Sequence, residues 1–205
     1  MELTVTTAKS GRINVYADGE YLFTVPAFIW YGSALCGKTE ADEAALKELK
    51  AAGEAHDAYE KALRLLGNRA HSEHELRQKL RVKYGGDAVD DAVGRLRENA
   101  LLDDAAFAEA LAQELSRRKH YAPERILLEL KARGVDGEIA KKAANGLDID
   151  RKQGIIDIIY KMHLPDAPTR KDADRLLRRL LNAGYSMREI KEVVSFSDDA
   201  DGTDA

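Results

Sequence analysis

The sequence predicts a mainly α-helical protein: an elongated, curved array of three three-helix repeats, preceded by a small N-terminal β-hairpin and helix module. Three observations predict it. Alanine, leucine, lysine, arginine and glutamate dominate after residue 40, a helix-forming composition. The segments SEHELRQKL (72–80), APERILLEL (122–130) and DADRLLRRL (172–180) line up at a spacing of 50 residues, with apolar residues at their fifth and ninth positions. The first 25 residues instead alternate apolar with polar side chains around an Asp-Gly pair, the pattern of a hairpin.

In chain order, RINVYADGEYLFTV reads as that hairpin. Ile13 and Val15 mark the inner face of one strand and Tyr21, Phe23 and Val25 that of the other. Asp18-Gly19 supplies the positive φ angles of a type I′ turn. LTVTT adds a third strand, and Pro26 ends the hairpin because it has no N–H for the ladder. Phe28, Trp30 and Tyr31 are expected to plug this small sheet, which is marginal without cover, with an exposed aromatic docking site as the lower-ranked alternative. Thr39 is the expected N-cap of the first long helix, with Asp42 three residues on. Gly53 is expected to end or weaken that helix, and a second helix follows near Asp57–Gly67 with Tyr59, Leu63 and Leu66 on one face.

The repeats follow. Leu76 and Leu80, Ile126 and Leu130, and Leu176 and Leu180 each form an i, i+4 pair on one helix face. Ser72, Pro123 and Asp172 open these helices; Gly85, Gly134 and Gly184 are placed as left-handed C-caps. A longer striped helix precedes each (57–67, 104–116, 151–162) and a shorter one follows (Val89–Leu96, Ile139–Ala143, Ile190–Val194). The expected partition is a β-hairpin plus helix module over 1–54, repeats over 55–102, 103–147 and 148–195, and an acidic disordered tail over 196–205.

Charge is unevenly distributed. Residues 111–194 carry 18 Lys/Arg against 13 Asp/Glu, whereas residues 195–205 carry four aspartates and no base. This asymmetry points to a polyanionic partner, with the tail screening the basic half, though a solvated helical surface explains it equally well. One cysteine, Cys36, leaves no internal disulfide and no CxxC site. No apolar run approaches the ~20 residues of a membrane span, and no basic-then-apolar leader opens the chain. A cytoplasmic protein is therefore expected.

No motif for chemistry emerges. GxxxxGK[ST], GxGxxG, HExxH and GxSxG are all missing. His71 and His74 stand three apart, but no third ligand is placed by sequence, so no metal is expected. The adjacent Asp103 and Asp104 fit an N-cap and a helix's first turn better than a metal or acid–base pair, and Asp148 and Asp150 sit at the equivalent third-repeat junction. ERILLELKARGVDGEIAKKA superficially resembles a helix-turn-helix, yet its second helix opens on acidic and small residues, unlike a base-reading helix. Phosphate contact through basic helix ends stays open.

Three motifs, in order, carry a family resemblance: Ser72-Glu73-x-Glu75-Leu76-x-x-x-Leu80, then Leu102-Asp103-Asp104-x-x-Phe107-Ala108, then Lys119-x-x-Ala122-Pro123-x-x-Ile126-x-x-Glu129-Leu130-x-x-Arg133-Gly134. Over about residues 57–195 the chain resembles the RecX family of bacterial recombination regulators, in its longer form with an N-terminal β extension. One departure is local: the family's usual glycine next to the basic residue before Pro123 is missing, leaving KHYAPERI. The resemblance implies a non-catalytic, cofactor-free regulatory protein of recombination, DNA repair and the SOS response. It implies binding in the groove of RecA filaments on single-stranded DNA, with inhibition of ATPase and strand exchange. A monomer is expected. Arg117, Arg118, Lys119, Arg125, Lys141, Lys142, Arg151 and Lys152 are the candidate contacts to RecA or to DNA phosphate. Ser72, Glu75, Leu76, Leu80, Leu102, Asp103, Asp104, Phe107, Pro123, Ile126, Leu130 and Gly134 are the motif's structural residues. The alternative is a helical repeat protein that binds nucleic acid directly, without RecA.

Overall fold

The computed structural model describes residues 1–165 and 169–194, and the tail expected over 196–205 lies outside them. The chain divides into two compact units, Met1–Asp103 and Asp104–Ala205.

The first unit opens with β1 (Leu3–Thr7), β2 (Ile13–Ala17) and β3 (Glu20–Val25), an antiparallel sheet in the order β1-β2-β3. Asp18 (φ 49) and Gly19 (φ 80) make the positive-φ turn that Asp-Gly encodes. Leu3, Ile13, Val15, Ala17 and Val25 enter the core. Tyr21 does not, contrary to the alternation. Val15 faces Phe23 but Tyr16 faces Tyr21, so Leu22 is an extra residue that rotates Tyr21 outward onto Tyr16. The aromatic plug is also smaller than expected. On α1 (Ala27–Tyr31) only Trp30 is buried, while Phe28 and Tyr31 are 59% and 65% exposed. A single helical turn offers one face to a sheet.

Helix α2 runs unbroken over Glu43–Asn68, so Gly53 does not end it, and position 54/55 lies inside it. Gly53 is where β3 presses on the helix: a Cβ there would sit 2.6 Å from Val25 Cγ1. The N-cap is Asp42, accepting from Ala45 N at 2.7 Å, and not Thr39, whose carbonyl is engaged by Leu3 N. Helices α3 (Glu73–Arg81) and α4 (Gly86–Glu98) complete a three-helix unit with α2. Ser72 caps α3 through Glu75 N. Leu76, Leu80, Val89, Val93 and Leu96 are fully buried with Ala62, and Leu102 packs on them. Each buried Leu or Val is worth about 1.5–3 kcal/mol over an exposed one. Gly85 is not a left-handed C-cap: it has φ −65 and serves as the N-cap of α4.

The second unit holds α5 (Asp104–Lys119), α6 (Pro123–Ala132), α7 (Gly137–Asn145), α8 (Arg151–Lys161), α9 (Arg170–Asn182) and α10 (Met187–Val193). The three-helix pattern therefore recurs as α5–α7 and α8–α10. Phe107, Ala108, Ile126 and Leu130 anchor one core; Ile155, Leu176, Leu180 and Ile190 anchor the other; Tyr121 touches both. Asp104 is the first residue of α5 and Asp103 precedes it, while Asp150 caps α8 through Gln153 N. Asp172 is the third residue of α9, not its opener. Thr169 is the N-cap, and the two side chains form a capping box. Gly134 (φ 74) and Gly184 (φ 94) do adopt the expected left-handed conformation.

Candidate polyanion-binding cleft

The second unit carries a cleft of about 1030 Å³ built from four helix segments. Helix α9 supplies one wall. Its RLLRRLLN run buries Leu176 and Leu180, and the same 3.6-residue period sets Arg175, Arg178, Arg179 and Asn182 on the opposite face. Lys119 and Lys161 come from the C-terminal ends of α5 and α8, where a cation complements the helix dipole. Lys161 Nζ donates to the Arg118 carbonyl at 3.2 Å, one of the acceptors that the end of α5 leaves free. Arg125 comes from the first turn of α6.

Tyr121 lies between two of these cations. Lys119 Nζ is 5.4 Å and Arg125 Cζ 5.5 Å from its ring centroid, within cation–π range. Ile158, Met162 and Ala183 form the apolar floor. Among the described residues no carboxylate lines the cleft, and only Arg125 of its six cations is ion-paired, with Glu129 at 2.6 Å. Guanidinium forks and ammonium groups without carboxylate partners suit phosphate or carboxylate ligands. The lining is therefore fitted to hold an anion.

Beneath the cleft the two three-helix groups are locked together. Gly154 of α8 is so close to Tyr185 that an added Cβ would overlap its hydroxyl. That hydroxyl donates to the His120 carbonyl at 2.7 Å, and burial pushes the phenol up to about 12. Ala122 N donates to the Ala183 carbonyl at 2.9 Å. His120, next to Lys119, takes the left-handed conformation, φ 53. Its Nδ1 is 3.2 Å from Asp157, but burial and the charge of Lys161 hold its pKa below the usual imidazole value.

The candidates expected from sequence fall into three groups. Lys119 and Arg125 line the cleft. Arg117, Arg118, Lys141, Lys142 and Lys152 are exposed elsewhere on the unit, with Arg118 paired to Glu114. Arg151 is a clamp: its guanidinium bonds Glu124 of α6 at 2.6 Å and Glu189 of α10 at 2.8 Å, and these bonds, Glu124 first, hold it more firmly protonated than usual. Lys161, Arg175, Arg178 and Arg179 were not among the candidates. For the three arginines the signal was their i, i+3, i+4 spacing on α9, legible as a face but not as a wall of a site.

Residues 58–96 match the family description "RecX, first three-helix domain" and residues 103–143 match "RecX, second three-helix domain". The Regulatory protein RecX of Chlorobaculum tepidum is 33% identical over 143 residues, covering 69% of this chain and 89% of that protein. That of Clostridium botulinum strain Alaska E43 is 26% identical over 199 residues, covering 94% and 93%. A crystal structure of a regulatory protein RecX shares the fold, with a TM-score of 0.64, 20% identity, and coverage of 94% of this chain and 98% of that one. With two successive three-helix domains of this kind, matching motifs and a shared fold, the chain belongs to the RecX family of regulatory proteins.

Proposed function

We propose that this protein binds RecA nucleoprotein filaments and inhibits RecA's ATPase, strand exchange and recombination. The observation that carries the reading is a cation-lined cleft without carboxylates on a chain of the RecX family. Protein carboxylates and DNA phosphates are both ligands for such a lining. Three repeats, partitioned as 55–102, 103–147 and 148–195, give several contact points to a helical polymer, and linked weak contacts raise avidity without any single strong one. The protein acts as a monomer in the cytoplasm.

RecA's DNA-dependent ATPase is the direct test. Added protein is expected to lower it. Reversing Arg175, Arg178 and Arg179 to glutamate raises the concentration needed by about tenfold or more, equivalent to about 1.4 kcal/mol of binding. Charge reversal at Arg117, Arg118 and Lys119 weakens inhibition as well. Full inhibition by both variants removes the basic surface from the mechanism. The basic lining also favours one rival, direct nucleic-acid binding without RecA. An unchanged ATPase rate, together with DNA affinity that falls steeply with salt, establishes that rival instead.

A further inference from the structure

Residues 195–205 carry Asp198, Asp199, Asp201 and Asp204 and no lysine or arginine. The chain reaches them from Val193 and Val194, which pack on the same apolar cluster as Tyr121 and Met162, two side chains of the cleft. The preceding helix, α10, packs on both α8 and α9, and these supply four of the six cleft cations. Extended chain spans ~3.3–3.6 Å per residue, so this segment reaches about 36 Å. The Arg175–Asn182 face is only about 10 Å long. Charge and reach therefore allow the segment to enter the cleft, and its origin on the same helical group starts it close by.

We propose that the acidic segment 195–205 docks in the basic cleft, and that a polyanionic partner must displace it. Its carboxylates meet guanidinium and ammonium groups that, Arg125 apart, have no ion-pair partner among the described residues. Tethering gives the segment an effective concentration on the order of millimolar, so individually weak pairs hold it at low salt. Screening releases it as the Debye length shrinks to about 3 Å near 1 M salt. The regulatory consequence rests on the function proposed above, whereas the docking does not.

Docking is read without any partner by placing a nitroxide at Thr203→Cys in a Cys36→Ser chain. At low salt the amides of Lys119–Arg125, Lys161 and Arg175–Asn182 broaden selectively. The effect disappears near 1 M salt and in a chain carrying Asp198, Asp199, Asp201 and Asp204→Asn, whose tether is unchanged. Equal broadening in the aspartate and asparagine chains overturns the proposal. Displacement is read with a labelled oligo(dT) probe. The four-Asn chain binds it about three- to tenfold tighter than the parent, as expected when a tethered competitor is removed. That gain is lost when Arg175, Arg178 and Arg179 are glutamine. A gain that persists in the glutamine background is a long-range charge effect and overturns the proposal. If RecA's ATPase does not respond to this protein at all, the function proposed above fails, while docking and oligo(dT) displacement are still decided by these two measurements.

Discussion

At Ala100 the first unit repeats a helix ending that the second unit makes with glycine. Ala100 N bonds Arg97 O and Leu101 N bonds Leu96 O; at the end of α6, Gly134 N bonds Lys131 O and Val135 N bonds Leu130 O; at the end of α9, Gly184 N bonds Leu181 O and Tyr185 N bonds Leu180 O. All three are Schellman endings. Ala100 holds φ 53 with a Cβ, which costs about 1–2 kcal/mol where glycine is nearly strain-free. Ala100→Gly is expected to stabilise the protein by about 0.5–1 kcal/mol after the unfolded-chain entropy of glycine is subtracted, as read from urea midpoints. A lower midpoint denies the strain.

His71 carries the pH dependence at this scale. It is buried against Glu75, and burial together with Arg69 and Lys79 lowers its pKa, while Glu75 opposes the shift. His120 in the second unit shifts in the same direction. A lowered folded-state pKa means that the unfolded chain binds the proton more readily. Stability is therefore complete above the unfolded value near 6.5 and falls as pH drops below it toward the folded value. The urea midpoint should decline from pH 7.5 to 5.5, and His71→Gln should flatten that decline. A midpoint that rises over this range contradicts the assignment.

Among elements, α2 tests most sharply what a propensity means. In an exposed helix Gly→Ala gains about 1 kcal/mol. At Gly53 the added methyl meets Val25 at 2.6 Å, and Val25 is fixed in a sheet with 1% exposure. Gly53→Ala is expected to destabilise by about 1–3 kcal/mol, the usual range for overpacking. Val25→Ala in the same chain should restore part of the loss. A stabilised Gly53→Ala protein would show that the sheet yields. The cap expected at Thr39 has the same kind of origin. Thr39 and Asp42 both have capping chemistry, and Thr39 lost the role because its carbonyl pairs with Leu3, 36 positions earlier.

For the molecule as a whole, the cleft is a surface whose charges do little for the fold. Arg175 and Arg179 are exposed, and among the described residues Arg178 bonds the Asp174 carbonyl one turn back and no other group. Arg175, Arg178 and Arg179→Gln should therefore leave the urea midpoint within about 0.5 kcal/mol of the parent. The slope of oligo(dT) affinity against salt should drop by about 0.7 per phosphate contact removed. Arg151→Gln behaves in the opposite way. It breaks a clamp across α6, α8 and α10 and loses stability first.

Local physics determined much of this protein from sequence alone. The period of 3.6 set the buried pairs Leu76 and Leu80, Ile126 and Leu130, and Leu176 and Leu180, all at 4% exposure or less. Asp18-Gly19 set the hairpin turn, and Ser72 a helix start, because those signals act within a few residues. Lys119 and Arg125 were legible as bases of the second repeat, but not as neighbours in one cleft. Tertiary structure decided what depends on distant neighbours: a continuous α2 because β3 leans on Gly53, an exposed Tyr21 because a bulge shifts the ladder, and Arg151 as a clamp between two carboxylates. It also decided the site. Lys119 and Arg179 are 60 positions apart in sequence, and only the packing of α8 and α9 against α6 and the end of α5, fixed by Gly154, Tyr185 and Ala122, brings them to one cleft. Charge is a property of the residue, but a binding surface is a property of distances, and those come from packing.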